Sequence, residues 1–278
     1  MIRTAVFGIK KFMSAKYGLL AIAYMLVKVV IVFSRYTSAA LEMGCRASPW
    51  DAALMFSALE FRIFPPLIAL LLCNAPFYDG SSQFTLIRTG RLRWIFGQVI
   101  YIGVLTAAVI LTMWITAWIV MLPVLSFQWD WGIMLKSAAM TGGTFFSMSV
   151  PPLLPELWAP GMGMMSFLLT WLVCMFIGTM FMFLNFLFGK TVSFSAFGFL
   201  WFMQLAAPMI GLLNWGYTVT YLTPFTYANV FYAKNYAVLS DRPEIGYCIG
   251  VLAAGIVIFT VATVVGFCRK DLDSGKEE

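Results

Sequence analysis

The sequence predicts an all-α polytopic membrane protein, and three observations carry that prediction. Of 278 residues, 62% are apolar and only 11% are charged, against roughly 25% charged in a soluble domain. The apolar residues gather into six long stretches, at about 17–33, 52–73, 95–122, 163–188, 192–213 and 247–267. A hydrocarbon core of ~30 Å needs about 20 residues of helix. Lipid offers the backbone no partner, so each stretch must be helical. No soluble domain interrupts them, and 1–278 reads as a single transmembrane domain.

Taken in order, residues 1–16 set Arg3, Lys10, Lys11 and Lys16 around Val6, Phe7, Ile9, Phe12 and Met13. That alternation predicts an amphipathic helix lying in the membrane interface. The N-terminus lacks a small-residue cleavage site after a short apolar core and does not read as a removable signal. Between the second and third stretches lies a compact polar island, DGSSQFTLIRTGRLRW, from Asp79 to Trp94. Ser81 or Ser82 suits a helix N-cap, and Gly90 suits a left-handed helix end. A short helix is expected over about 81–91, with Phe84 and Ile87 on one face. Arg88, Arg91 and Arg93 supply its charge.

Two longer connections follow. Residues 123–162 hold Trp129, Trp131, Trp158, the pair Gly142-Gly143 and several prolines, which predicts surface or re-entrant helices with an aromatic belt. A seventh span inside 132–150 would have to carry Lys136 and both glycines. Residues 214–246 hold Tyr217, Tyr221, Tyr227 and Tyr232 around Pro224-Phe225, again an interfacial composition. The tail, 269–278, is short and solvated. With the N-terminus inside, eleven basic residues are cytoplasmic and five are outside, with Lys28 and Arg62 in spans. This asymmetry places both termini, and the 81–91 helix, in the cytoplasm of a cell-membrane protein.

Composition removes several chemistries. There is no histidine, so no histidine base, haem ligand or histidine metal site exists. The five cysteines show no CxxC spacing, and no metal is expected. Cys45 and Cys248 share the outer side, where a disulfide or two small apolar fillers are both open. No GxxxxGK[ST] loop is present, and the net charge of +6 is dispersed along apolar runs rather than gathered for nucleic acid. Energy for any work must come from another subunit or an ion gradient. Inside the spans, Lys28, Glu60 and Arg62 need partners or water. Lys28 and Glu60 lie at similar depth and are expected to pair, either as a structural tie or as a polar site on a substrate path. Pro65-Pro66 is expected to kink the second span below them. Asn185 and Gln204 are packing glue between helices or part of the same path.

The basic N-terminus, six spans and a polar helix between spans two and three resemble the permease subunits of type-2 ATP-binding-cassette exporters, bacterial members in particular. The local likeness runs through 74–94 with its Arg88-Thr89-Gly90-Arg91 core, Asp130-Trp131-Gly132, Asn185, and Leu222-Thr223-Pro224-Phe225-Thr226-Tyr227 before the last span. The resemblance implies a non-catalytic chain with no cofactor of its own. ATP and Mg would be bound by a separate dimeric ATPase docking on the coupling helix, and two permease chains, identical or related, would flank the path. It assigns Ser82, Phe84, Ile87, Arg88, Gly90, Arg91 and Arg93 to docking, and makes the segment before the last span a re-entrant lid. The expected cargo is an amphiphile: an antimicrobial peptide, a lipid or a hydrophobic drug. A non-transporting scaffold or sensor bound to an ATPase, or a secondary transporter, are the alternatives.

Overall fold

The structure, a computed structural model, describes residues 16–57, 64–77, 90–140, 144–145, 148–150, 152–210, 220–230, 233 and 242–269. The described residues are mostly helical: α1 Lys16–Glu42, α2 Phe64–Leu72, α3 Arg91–Met121, α4 Ile133–Met140, α5 Ala159–Phe188, α6 Lys190–Ile210 and α7 Ile245–Arg269. Short 3-10 helices cover Pro49–Ser57, Leu154–Glu156 and Pro224–Ala228. Two strands of two residues, β1 Thr144–Phe145 and β2 Met148–Ser149, pair antiparallel, and Ala47 bridges Leu125 in parallel.

Four helices are long and apolar enough to cross a membrane: Gly18–Glu42, Arg91–Met121, Ala159–Phe188 and Ile245–Phe267. The chain is a multi-pass helical membrane protein. These four coincide with expected stretches one, three, four and six. The second stretch is described as the Pro49–Ser57 3-10 helix and α2, and the fifth as the 21-residue α6. Glu60 and Arg62 lie outside the described residues, as do most of the expected N-terminal interfacial helix and the tail after Arg269. The expected kink at Pro65-Pro66 falls at the described edge of α2.

Helix α1 runs on to Glu42, well past its expected end near Phe33. Hydropathy drops there, but the buried stripe Met25, Val29, Val32, Tyr36 and Ala40 continues at helical spacing against α3. A Schellman pair closes the helix, with Cys45 N donating to Ala40 O at 2.9 Å and Gly44 N to Leu41 O at 3.2 Å. Where a seventh span is the alternative, the described residues of 132–150 form the eight-residue α4 and the paired strands β1 and β2.

Helix α5 is the centre of the bundle, touching α2, α3, α6, α7 and the 3-10 helices at Pro49–Ser57 and Pro224–Ala228. Close approach needs small residues there. A Cβ on Gly178 would stand 2.5 Å from Ile102 Cγ2 and 3.0 Å from Leu72 Cδ1. The opposite faces of the helices expose Leu111, Ile115, Ile119, Phe199, Phe202, Val257 and Ile258. Exposed hydroxyls on α3 and α6 turn back onto their own helices, Thr112 to Ala108 O at 2.7 Å, Thr116 to Thr112 O at 2.8 Å and Ser195 to Thr191 O at 3.0 Å. A surface that satisfies its polar groups internally is suited to lipid.

Candidate functional site

Helices α3, α5, α6 and α7 meet at one end of the bundle, which carries Arg91, Arg93 and Lys190 and is called the basic end below. Arg91 Nη1 donates to Phe267 O at 3.4 Å, near the close of α7. The Trp94 ring stacks on Phe267 with centroids 5.7 Å apart, and Phe186 of α5 meets the same ring at 5.1 Å. A guanidinium suits carbonyls at a helix C-terminus, where the helix dipole is negative. The start of α3 and the ends of α5 and α7 are thereby tied together. Arg93 is exposed and Arg91 half-buried.

The segment leaving α2 is tied to the same place. Asn185 Nδ2 donates to Cys73 O at 2.8 Å and to Ala75 O at 2.5 Å. Lys190 Nζ donates to Asn74 Oδ1 at 2.9 Å. Phe77 N donates to Gln98 Oε1 at 3.4 Å, and the Phe77 ring packs edge-on against Tyr101 at 5.0 Å. The connection 78–89 therefore departs from one held segment and returns to another. Ser82, Phe84, Ile87 and Arg88 lie in that connection, outside the described residues.

Two glycines turn the chain at this end. Gly90 precedes α3 with φ 78° and ψ 155°, and Gly189 alone separates α5 from α6 with φ 85° and ψ 173°. Gly90 shows the positive φ expected of it but at a ψ outside the left-handed helical well, in a region that glycine alone adopts freely, and the helix expected before it lies outside the described residues. Space is not the constraint, since nothing among the described residues lies within 4 Å of a Cβ at either position. Gly90→Ala and Gly189→Ala are each expected to cost about 1–3 kcal/mol through backbone strain alone. Gly198→Ala, equally uncrowded inside α6, is expected to be neutral or stabilising by up to ~1 kcal/mol. Thermal unfolding of the detergent-solubilised chain checks all three.

The described intramembrane residues, Lys28, Asn185 and Gln204, are dispersed. Lys28 sits half-buried on α1 with Nζ 5.6 Å from the Tyr24 ring centroid one turn earlier, while its expected partner Glu60 is outside the described residues. Gln204 on α6 buries its amide oxygen without a donor among the described residues. Asn185 is at the basic end rather than with either of them. Cys45 and Cys248 are free thiols, half-buried and buried respectively. Among the described residues, no three acidic or cysteine side chains gather around a common metal position.

The best-satisfied polar centre lies at the opposite end, and sequence reading missed it. Asp51 is 2% exposed. Its Oδ2 accepts from Tyr36 Oη at 2.8 Å and Ser48 N at 2.7 Å, and its Oδ1 accepts from Gly132 N at 3.0 Å. One carboxylate thus joins α1, the turn before the second stretch, and the start of α4. Burial pushes its carboxyl up to about 6 against the opposing pull of those hydrogen bonds. Around it, Trp118 Nε1 donates to Pro49 O at 2.9 Å, Trp131 Nε1 to Leu157 O at 2.8 Å, and Trp50 stacks with exposed Trp129 at 6.5 Å. Asp130 pairs with Lys136, whose hydrogen bond holds the carboxyl below its usual range. The result is a latched aromatic ledge. A lone acid flanked by Trp50 and Ala52, with no basic residue within four positions, was the available signal.

Comparison with protein-family models, with curated proteins and with solved structures gives no match to this chain.

Proposed function

We propose that this chain is the permease subunit of an ATP-driven exporter, carrying an amphiphilic or hydrophobic substrate outward and coupled to a separate ATPase. One observation supports it above the others: the polar connection 78–89 is gripped at both ends. Asn185, Lys190 and Gln98 hold its departure, and the Arg91 and Trp94 contacts with Phe267 hold its return. A load on that connection reaches α3, α5, α6 and α7 together, as a lever driven from outside the membrane requires. Orientation alone asks only for basic residues and not for this bracing.

In this reading the bundle has six spans, with α6 and the 52–73 stretch joining the four long helices. Both termini are cytoplasmic, and the basic end faces the ATPase. Phe84 and Ile87 supply the apolar contact and Arg88 a polar rim, with Arg91 instead committed to α7. ATP and Mg belong to the partner, and a second permease chain completes the path through lipid.

The test is co-purification of the full-length chain with an ATP-hydrolysing partner, wild type against Phe84→Asp combined with Arg88→Glu. The wild type is expected to retain the ATPase and the double variant to lose it while keeping its own thermal unfolding profile. Equal binding by both forms would place docking elsewhere, and no ATPase with either would remove the exporter reading.

A further inference from the structure

We propose that Asn185 is the positioning residue that gears the connection between α2 and α3 to the α5–α6 hairpin. This rests on the permease reading above, since it supplies the route by which a push on that connection reaches the bundle. The juxtaposition is compact. Asn185 grips the carbonyls on both sides of Asn74, and Lys190 grips the Asn74 side chain itself. Two side chains, one from the end of α5 and one from the start of α6, therefore hold three successive residues of the segment leaving α2.

The orientation of the amide is fixed by its neighbours. Both are carbonyl acceptors, so Nδ2 must face them, and a flipped amide would set oxygen against oxygen. The consequence is that Asn185 Oδ1 is buried without a donor among the described residues. Leaving a buried acceptor unmet is unfavourable; an apolar side chain of similar volume would remove that one but would leave the carbonyls of Cys73 and Ala75 without their donor. Two convergent hydrogen bonds do what an apolar side chain cannot: they set the height and rotation of 73–75 against α5. Gly189 then leaves no slack, because a single residue joins α5 to α6. A displacement at Ala75 moves the end of α5, and with it the first turn of α6.

The experiment uses the full-length chain with its co-purified ATPase in lipid nanodiscs. Hydrogen–deuterium exchange is followed over 190–197 without nucleotide and with ATP plus vanadate. The wild type is expected to show a nucleotide-dependent change in this turn. Asn185→Asp, isosteric but without donors, is expected to lose the change while still binding the ATPase, and Asn185→Gln, which keeps the amide, to restore part of it. A merely structural Asn185 would alter unfolding but leave the nucleotide response in place. Should Asn185→Asp fail to accumulate, Lys190→Ala removes only the exposed bond to Asn74 and is expected to weaken the response. An unchanged response in Asn185→Asp or Lys190→Ala, or none in the wild type with ATPase bound, overturns the gearing but leaves the permease reading standing. Absence of any ATPase from the wild-type preparation overturns the permease reading and the gearing with it.

Discussion

Asp51→Ala is expected to destabilise the folded chain by on the order of 3–5 kcal/mol, because three buried donors lose their acceptor at once and each orphaned group costs about 1–3 kcal/mol. Those donors come from Tyr36, Ser48 and Gly132, three separate parts of the chain. The ledge built on α4 should detach from α1 as the latch opens, exposing Trp131. Gly132→Ala attacks the same latch from the other side. Its Cβ would stand 2.3 Å from Asp51 Oδ2 and 3.2 Å from Tyr36 Oη, an overlap expected to cost on the order of 2–3 kcal/mol. Thermal unfolding and tryptophan fluorescence in detergent read both effects. An Asp51→Ala chain as stable as wild type would show that the latch does not hold the ledge.

The latch also predicts a pH slope. The folded carboxyl titrates near 6 and its ordinary value is 3.8. A folded value above the unfolded one means that the folded chain binds more protons between about pH 4 and pH 6, so stability is lost as pH rises through that window. The contribution is on the order of 3 kcal/mol for a difference of about two units. Asp51→Asn should remove that slope, and above about pH 6, where Asp51 is ionised, it should also lose the acceptor that its amide NH2 replaces.

Gly178→Leu is the second large effect, and it tests the packing of α5 rather than a polar contact. Even a methyl at Gly178 meets Ile102 at 2.5 Å and Leu72 at 3.0 Å. Ile102 is β-branched and fully buried in α3, so it has no open rotamer to retreat into. Leucine must therefore part α5 from both α2 and α3, at an expected cost of about 3 kcal/mol or more. Gly178→Ala should fall lower, at about 1–2 kcal/mol. Loss of folded protein in the leucine variant, with an intermediate alanine, is the expected series. A change within about 0.5 kcal/mol for leucine, as at an exposed site, would contradict this packing.

The helices were legible because hydropathy is a local property. Val99, Ile102, Val109 and their neighbours announce α3 without reference to anything distant. What hydropathy could not show was where α1 ends, because Tyr36 and Ala40 bury their faces inside a stretch that turns polar on the other side. The Asp51 latch was illegible for a different reason. Two of its three partners lie 15 residues before it and 81 after it, and no spacing in the sequence announces their meeting. Asn185 was visible as a polar residue near a helix end, but its two acceptors are backbone carbonyls, which every residue possesses. Gly90 is legible as a glycine needing positive φ, and it has φ 78° at the start of α3; the helix expected before it lies outside the described residues. The Lys28–Glu60 pairing was drawn from depth alone. Lys28 has its Tyr24 ring, and Glu60 lies outside the described residues.

The central claim is that this chain works as the membrane half of an ATP-driven machine. Its most direct test is to purify the tagged full-length chain in mild detergent and measure vanadate-sensitive ATP hydrolysis in the purified fraction, beside a parallel preparation of the Phe84→Asp, Arg88→Glu variant. Hydrolysis by a co-purifying subunit is expected with the wild type and its loss with the variant, since this chain carries no phosphate-binding loop of its own. A wild-type chain that purifies folded but without any ATPase activity would contradict it.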